Sequence, residues 1–429
     1  MSVSQRDKNI IWHPFTQEKM AADPIHIKRA SGAYLYDEND HCYLDLISSW
    51  WVNLHGHAHP EIAQAIYEQA KILEHVVFAG FTHQPAVDLC ENLRSLLPSD
   101  LCKFFFSDNG STSVEVALKM AYQYWINSGI TERHLFLSFD GGYHGDTFGA
   151  MSVGMNSGFH HRFKDLFFKV LFIPYPETWD DDKEVCLKEE KALAVLRNYL
   201  EQYGNNIAAL ILEPLIQGAG GMRLCRPEFI ENVLNLVRQH DILVIFDEVM
   251  TGFYRTGTYF AFNQIHIIPD FLCLSKGLTG GFLPLALTIT TNKIHEAFLG
   301  DDFQKTFLHG HSYTANPLSC SAAVSSLNLL KSSSCRDSVK NIQTAHRDGM
   351  DFLFSECRFT EKPRKIGTIA AFDLKNVLNR MPFLKKRFLE EGLILRPLGN
   401  TIYLLPPYCI TTEEIKSVYS RLVQIINDL

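Results

Sequence analysis

Five short runs, at 103–107, 135–139, 208–212, 243–246 and 271–274, show almost no alternation of polar and apolar residues. Between them lie stretches, such as 113–125 and 227–239, whose apolar residues recur at helical spacing. A strand wetted on one side alternates, so runs without alternation predict strands buried on both faces. Strands of this kind separated by helices predict an α/β fold with a mostly parallel sheet, here a large domain over about residues 60–325. The ends differ. Strand-like pieces at 34–36 and 42–45 flank an Asp-Glu-Asn-Asp turn, and others follow a helical stretch at 368–374 and 401–405. These ends, 1–59 and 326–429, are expected to combine into a smaller α+β domain. The charged stretch 180–191 reads as a solvated loop and helix start.

A net charge of −8 and the absence of basic runs with interleaved aromatics exclude a nucleic-acid surface. No apolar run reaches the length of a membrane span, and residues 1–15 hold no apolar stretch suited to a signal peptide. Ten scattered cysteines without a Cys-x-x-Cys pair fit a reducing cytoplasm.

Three strand ends carry chemistry. Phe106-Ser107 runs into Asp108-Asn109-Gly110-Ser111-Thr112 and then an amphipathic helix, so free N–H groups and the helix dipole could hold a phosphate. An ordinary Ser/Thr helix cap would look the same. The strand 243–246 ends in Asp247-Glu248, where ligands bind in open α/β sheets. A buried Asp there suits a pyridinium N–H, a metal ion or a helix end. The strand 271–274 ends in Ser275-Lys276 followed by Gly277, Gly280 and Gly281, which permit close approach of a ligand. Burial would lower the pKa of that amine and allow it to form an imine. His55-Gly56-His57-Ala58-His59 invites a metal reading, but no acidic or thiol ligand follows at a supporting spacing.

A phosphate cup, a strand-end Asp and a strand-end Lys in this order resemble the fold type I pyridoxal-phosphate-dependent transferases. The stretch Asp247-Glu248-Val249-Met250-Thr251-Gly252-Phe253-Tyr254-Arg255-Thr256-Gly257 is similar to the signature of class III aminotransferases, and the resemblance extends over nearly the full length. It implies pyridoxal 5'-phosphate held as a Schiff base by Lys276, with Asp247 on the ring nitrogen and Tyr143 stacked on the ring. Gly110 and Ser111 would bind the phosphate. Gly310, His311 and Ser312 would reach it from a neighbouring subunit, which implies a homodimer. Glu213 and Gln217 would lie near the cofactor.

Further motifs narrow the resemblance: Trp12-His13-Pro14-Phe15-Thr16, Ser48-Ser49-Trp50-Trp51, the stretch from Gly142 to Met151, Gln217-Gly218-Ala219-Gly220-Gly221-Met222 and Arg396-Pro397-Leu398-Gly399. They are similar to the branch that aminates 8-amino-7-oxononanoate to 7,8-diaminononanoate in biotin biosynthesis, with S-adenosylmethionine as donor. This implies that Phe15, Trp51, Tyr143, Lys276, Gly310 and Arg396 meet substrate, with Arg396 on the keto substrate's carboxylate. Phe15 stands where that branch often has Tyr, and His311-Ser312 replaces its more usual Pro-Thr. Both features resemble the members that take the amino group from lysine. A general ω-amino acid aminotransferase is the remaining alternative.

Overall fold

The computed structural model describes every residue except Asn376 and Leu429, and only the backbone of Leu378. Seven strands make the central sheet: β1 Leu101–Ser107, β2 Leu135–Phe139, β3 Val170–Ile173, β4 Ile207–Leu212, β5 Leu243–Asp247, β6 Phe271–Leu274 and β7 Ala286–Thr291. Their order is β1-β7-β6-β5-β4-β2-β3, and β7 alone runs antiparallel to its neighbours. Every residue of β2, β4, β5 and β6 is buried, which is why these strands show no alternation. The helix α1, Gly110–Asn127, packs against the sheet through Val114, Ala117, Leu118, Ala121 and Trp125. The helix α2, Pro227–Arg238, buries Phe229, Ile230, Val233, Leu234 and Val237, a stripe at helical spacing.

Two strands of this sheet, β3 and β7, escape the sequence reading. In β7 the sequence Ala-Leu-Thr-Ile-Thr-Thr mixes hydroxyls into a strand that is buried up to its last residue, Thr291. Thr288 and Thr290 lie there at 0% and 5% exposure because their hydroxyls donate to the carbonyls of Ser113 (2.7 Å) and Asp270 (2.8 Å). Hydrogen bonds made across 175 and 20 residues leave no local trace.

The chain ends form two smaller sheets, and they meet in the first of them. Strands Ile27–Ser31, Tyr34–Asp37 and Cys42–Asp45 form an antiparallel ribbon that is extended by Leu393–Ile394, with Leu44 opposite Leu393 and Asp45 opposite Ile394. Thr360–Ile366, Ile369–Leu374 and Thr401–Leu404 form an antiparallel three-stranded sheet. The charged stretch 180–191 ends inside a helix, Val185–Tyr203, where Glu189 is buried against the Arg226 guanidinium at 2.8 Å. That residue is not solvated, because it ties this helix to the start of α2.

Candidate active site

A cavity of about 480 Å³ opens at the carboxyl ends of the parallel strands. Trp51, Gly110, Ser111, Tyr143, Asp247 and Lys276 all line it, although 225 residues separate the first from the last. At its α1 end, Asn109 caps the helix by accepting the Thr112 N–H through Oδ1 (3.0 Å), and its carbonyl accepts the Ser113 N–H (3.1 Å). The N–H groups of Gly110 and Ser111 keep no protein partner among the described residues, so two donors and the positive helix end face the cavity. The turn packs tightly. Gly145 sits at φ +122°, and a Cβ there would come within 2.1 Å of the Ser111 hydroxyl oxygen.

Asp247 ends β5 at 4% exposure. Its Oδ2 lies 2.8 Å from His144 Nδ1, and its Oδ1 accepts the Val249 N–H at 3.1 Å. The adjacent Glu248 faces the other way. It accepts the N–H groups of Ala261 (2.7 Å) and Phe262 (2.8 Å), and burial pushes its pKa up to about 7. The two neighbouring carboxylates therefore do not share a site, which a joint metal-binding role would require. No group of three or more metal-ligating side chains occurs among the described residues.

Lys276 follows β6 with a φ of 46°, a strained conformation for a non-glycine residue. Its Nζ lies 4.5 Å from the centre of the Trp51 ring and makes no ion pair among the described residues. Burial lowers the amine's pKa to about 8; the charges of Asp247 and Glu213 partly oppose this, and that of Arg255 adds to it. The amine is thus protonated below about pH 8 and a nucleophile above it. Competitive acetic-anhydride labelling of the cofactor-free protein should show Lys276 modification rising through a midpoint near pH 8, well below the ordinary lysine value of 10.5. A midpoint shared with surface lysines would refute this account of the cavity.

Two further groups complete the walls. The Tyr143 phenol donates to Asp146 Oδ2 at 2.8 Å, and its ring stacks on His160 at 5.4 Å and 28°. Glu213 accepts the N–H groups of Tyr143 (3.1 Å) and Gly218 (2.9 Å). Burial, with the charge of Asp247 adding and that of His144 opposing, raises its pKa to about 7. Gly218 lets the Trp51 ring approach, since a Cβ there would stand 3.2 Å from it.

Trp50 and Trp51 are held in an unusual backbone. Ser48, Ser49, Trp50 and Trp51 have φ of 51°, 45°, 70° and 74°, one turn of left-handed helix made entirely of non-glycine residues. Such a turn costs roughly 1–2 kcal/mol per L-residue, or about 4–8 kcal/mol for four. Its backbone is anchored by the buried Arg255, which donates to the carbonyls of Asn53 (2.9 Å), Pro406 (3.0 Å) and Trp51 (3.4 Å).

A neighbouring, wider cleft of about 1340 Å³ contains Phe15 and Arg396. The Arg396 guanidinium lies 3.9 Å over the Trp50 ring and pairs with no carboxylate among the described residues. Phe15 meets Trp50 edge-on at 5.4 Å and Phe159 at 6.0 Å, and Phe159 in turn meets Tyr143 at 5.7 Å. Gly310, His311 and Ser312 line neither space. His144, Asp146, His160 and Trp50 were missed as functional neighbours, as was Tyr403, whose hydroxyl accepts the Trp51 indole N–H at 3.2 Å. For the first two the only signal was their place in the Gly142–Met151 motif, and Tyr403 gave none.

The cavity fits pyridoxal phosphate on its own terms. It offers a pair of unpartnered N–H donors for a dianion, a buried carboxylate for a protonated ring nitrogen, and a partly neutral amine for an aldehyde. Comparison with known proteins agrees. The description of the class-III aminotransferases matches residues 16–426, and the chain belongs to this family. It is an aminotransferase, and pyridoxal phosphate is its cofactor.

Among its relatives, the adenosylmethionine-8-amino-7-oxononanoate aminotransferase of Synechococcus elongatus is 49% identical, over 98% of this chain and 99% of that one. The protein of the same name from Helicobacter pylori is 40% identical over 99% and 97%. A crystal structure of the Methanocaldococcus jannaschii protein of that name superposes with a TM-score of 0.91 at 35% identity, covering 99% of this chain and 98% of that one. A PLP-bound amine transaminase from an uncultivated Pseudomonas species superposes equally well, at 0.91, with 29% identity over 98% of both chains.

Proposed function

We propose that this aminotransferase moves the amino group of S-adenosylmethionine onto 8-amino-7-oxononanoate, giving 7,8-diaminononanoate in biotin biosynthesis. The observation that carries this reading is the pairing of two sites. One is the amine-and-carboxylate cavity around Lys276 and Asp247; the other is the Arg396 guanidinium, which pairs with no carboxylate among the described residues and is set on Trp50 in the adjoining cleft. An acceptor with its keto group at one end and its carboxylate at the other needs recognition at both. Names carried by relatives at 49% and 40% identity support the same substrates.

When bound, pyridoxal phosphate supplies an aldehyde that takes up amines and a ring that accepts the electron pair released at the substrate carbon. The residues of the chain do the rest. Gly110 and Ser111 N–H groups would hold the phosphate. The Asp247 carboxylate would keep a proton on the ring nitrogen, and His144 orients that carboxylate. Tyr143 and Trp51, which line the cavity, would wall the cofactor and the substrate. Lys276 Nζ, in its neutral form, would remove the proton from the carbon bearing the amino group and deliver it to the carbon that was the cofactor's aldehyde. Arg396 pairs with the acceptor's carboxylate, and Phe15 supplies an apolar wall in front of it.

The same reading makes the active form a homodimer acting in the cytoplasm. Gly310, His311 and Ser312 would serve the partner's cavity. Its supports are their absence from the lining of their own chain's cavity, the buried His311 Nε2, which has no partner among the described residues, and large exposed side chains such as Trp12 (87%), Met20 (85%) and Ile72 (81%). No helix among the described residues is long and apolar enough to cross a membrane.

One experiment tests the substrates. Purified holoenzyme is mixed separately with S-adenosylmethionine and with lysine, and the cofactor's absorption is followed through a single half-turnover. Conversion by S-adenosylmethionine supports the proposal. Conversion by lysine alone moves the donor assignment to lysine, as Phe15 suggests, and inertness toward both defeats the biotin-pathway reading. Arg396→Met should lower kcat/KM for 8-amino-7-oxononanoate by about 10–100-fold, the loss expected for one charged hydrogen-bonded pair. A value within twofold of wild type would remove Arg396 from substrate binding.

A further inference from the structure

We infer that Asp45 and His57 are positioning residues for the reaction, bracing the left-handed turn that aims Trp50 at Arg396 and Trp51 at Lys276. This inference rests on the site reading above, but neither residue lines the cavity or the cleft. The Asp45 side chain has no exposure. Its Oδ1 accepts the Ile47 N–H at 3.1 Å, at the entrance to the turn. Its Oδ2 accepts the hydroxyl of Ser49, inside the turn, at 2.9 Å, and lies 2.9 Å from His57 Nε2. The far end is tied by the Ser48 carbonyl, which accepts the N–H groups of Val52 and Asn53, each at 3.0 Å. The Ser48 hydroxyl donates to the Leu405 carbonyl at 2.7 Å.

The brace has a direction. Asn53 Oδ1 accepts the Gly56 N–H at 2.8 Å, so the amide nitrogen of Asn53 is the atom that faces His57 Nδ1 at 3.1 Å. An amide NH2 can only donate, so Nδ1 is the acceptor and the imidazole proton sits on Nε2, pointing at Asp45. Asn53, His57 and Asp45 therefore form a one-way relay of donors that ends on the carboxylate. An asparagine at 45 turns an NH2 toward His57, the Ser49 hydroxyl or the Ile47 N–H, and each of these is already a donor. The relay then loses at least one bond, and the strained turn loses a restraint. The His-Gly-His-Ala-His stretch thus has its central histidine engaged in holding backbone geometry.

The consequence reaches the chemistry through two contacts. Trp51 covers Lys276 Nζ at 4.5 Å, and Trp50 carries the Arg396 guanidinium at 3.9 Å. Relaxation of four left-handed residues moves both rings together. Loss of the brace therefore disturbs the amine end and the carboxylate end at once, although it removes no group that touches substrate.

The test uses the cofactor-loaded full-length enzyme and the variants Asp45→Asn, His57→Gln and His57→Leu. It measures thermal midpoint, cofactor content, near-ultraviolet circular dichroism of the tryptophans, and both half-reactions. Asp45→Asn is expected to stay folded and loaded, with an altered tryptophan signal and kcat/KM down by about 100-fold for the acceptor, as for an ångström-scale misplacement. His57→Gln retains a donor toward Asp45 and should keep wild-type rates and spectrum, whereas His57→Leu should follow Asp45→Asn. A folded Asp45→Asn enzyme with wild-type rates and tryptophan spectrum overturns the inference, as does His57→Gln falling as far as His57→Leu. If Asp45→Asn does not fold, the His57 pair decides, because Leu leaves two of the three bonds to Asp45 in place. Failure of the site reading itself would show separately, as retained transamination in Lys276→Ala.

Discussion

Lys276→Ala will abolish transamination for practical purposes, lowering kcat by at least about 10⁴-fold, the upper range for loss of a positioned proton-transfer group. No other lysine lines the cavity. The remaining candidates for a base are committed elsewhere: His144 Nδ1 to Asp247, the Tyr143 phenol to Asp146, the Glu213 carboxylate to two backbone N–H groups, and Asp108 Oδ1 to the Thr112 hydroxyl and the Asn109 amide. The variant should fold normally, because Lys276 makes no ion pair among the described residues and its removal relieves a buried amine. Steady-state kinetics and thermal melting on the same preparation check both statements. Partial recovery on adding small primary amines would show that the missing element is the amine itself. Residual turnover within tenfold of wild type would mean that the proton is moved by another group.

The second large effect is expected from Asp247→Asn. The shape is kept, but the charge that stabilises a protonated ring nitrogen is lost. Breaking one partner of a buried charge pair costs about 3–5 kcal/mol, which corresponds to roughly a 10³-fold loss of kcat. The KM of the donor should change much less, since the carboxylate acts on the ring and not on substrate groups. The variant should also melt earlier. His144, 3% exposed, has its only carboxylate partner among the described residues in Asp247. A kcat within tenfold of wild type, with full cofactor occupancy, would show that Asp247 serves structure alone.

Much of this site was legible because its chemistry sits at strand ends. Residues 243–246 and 271–274 are so uniformly apolar that the polar residues closing each run stand out. Those residues are Asp247 and, after Ser275, Lys276. A buried strand has to expose its functional side chain where the sheet stops, and the local sequence marks that point. The helix start at Gly110 is marked in the same way by its cap. Glu248 shows the limit of this kind of reading. Beside Asp247 it has equal standing in sequence, yet it turns away to hold Ala261 and Phe262. Which of two adjacent carboxylates faces a ligand depends on which side of the strand the cavity occupies.

Other features were hidden because their partners are remote. The His144 pair with Asp247 spans 103 residues, and the Ser48 bond to Leu405 spans 357. Strand Ala286–Thr291 hid its threonines by bonding them to distant carbonyls. The left-handed turn at 48–51 follows no local preference, since Ser and Trp ordinarily avoid positive φ and nothing in Ser-Ser-Trp-Trp predicts it.

By itself, then, the sequence determined the class of chemistry, the cofactor and the layered α/β plan. Apolar period, strand-end residues and motif order are local properties that survive without coordinates. The tertiary structure decided what faces what: that Trp51 covers Lys276, that Arg396 rests on Trp50, and that Asp45 can brace both from outside the cavity. Those relations depend on strained backbone and on contacts hundreds of residues apart. Only the packed chain holds such conformations, because the energy that offsets their strain comes from burial and hydrogen bonds that no short segment can make.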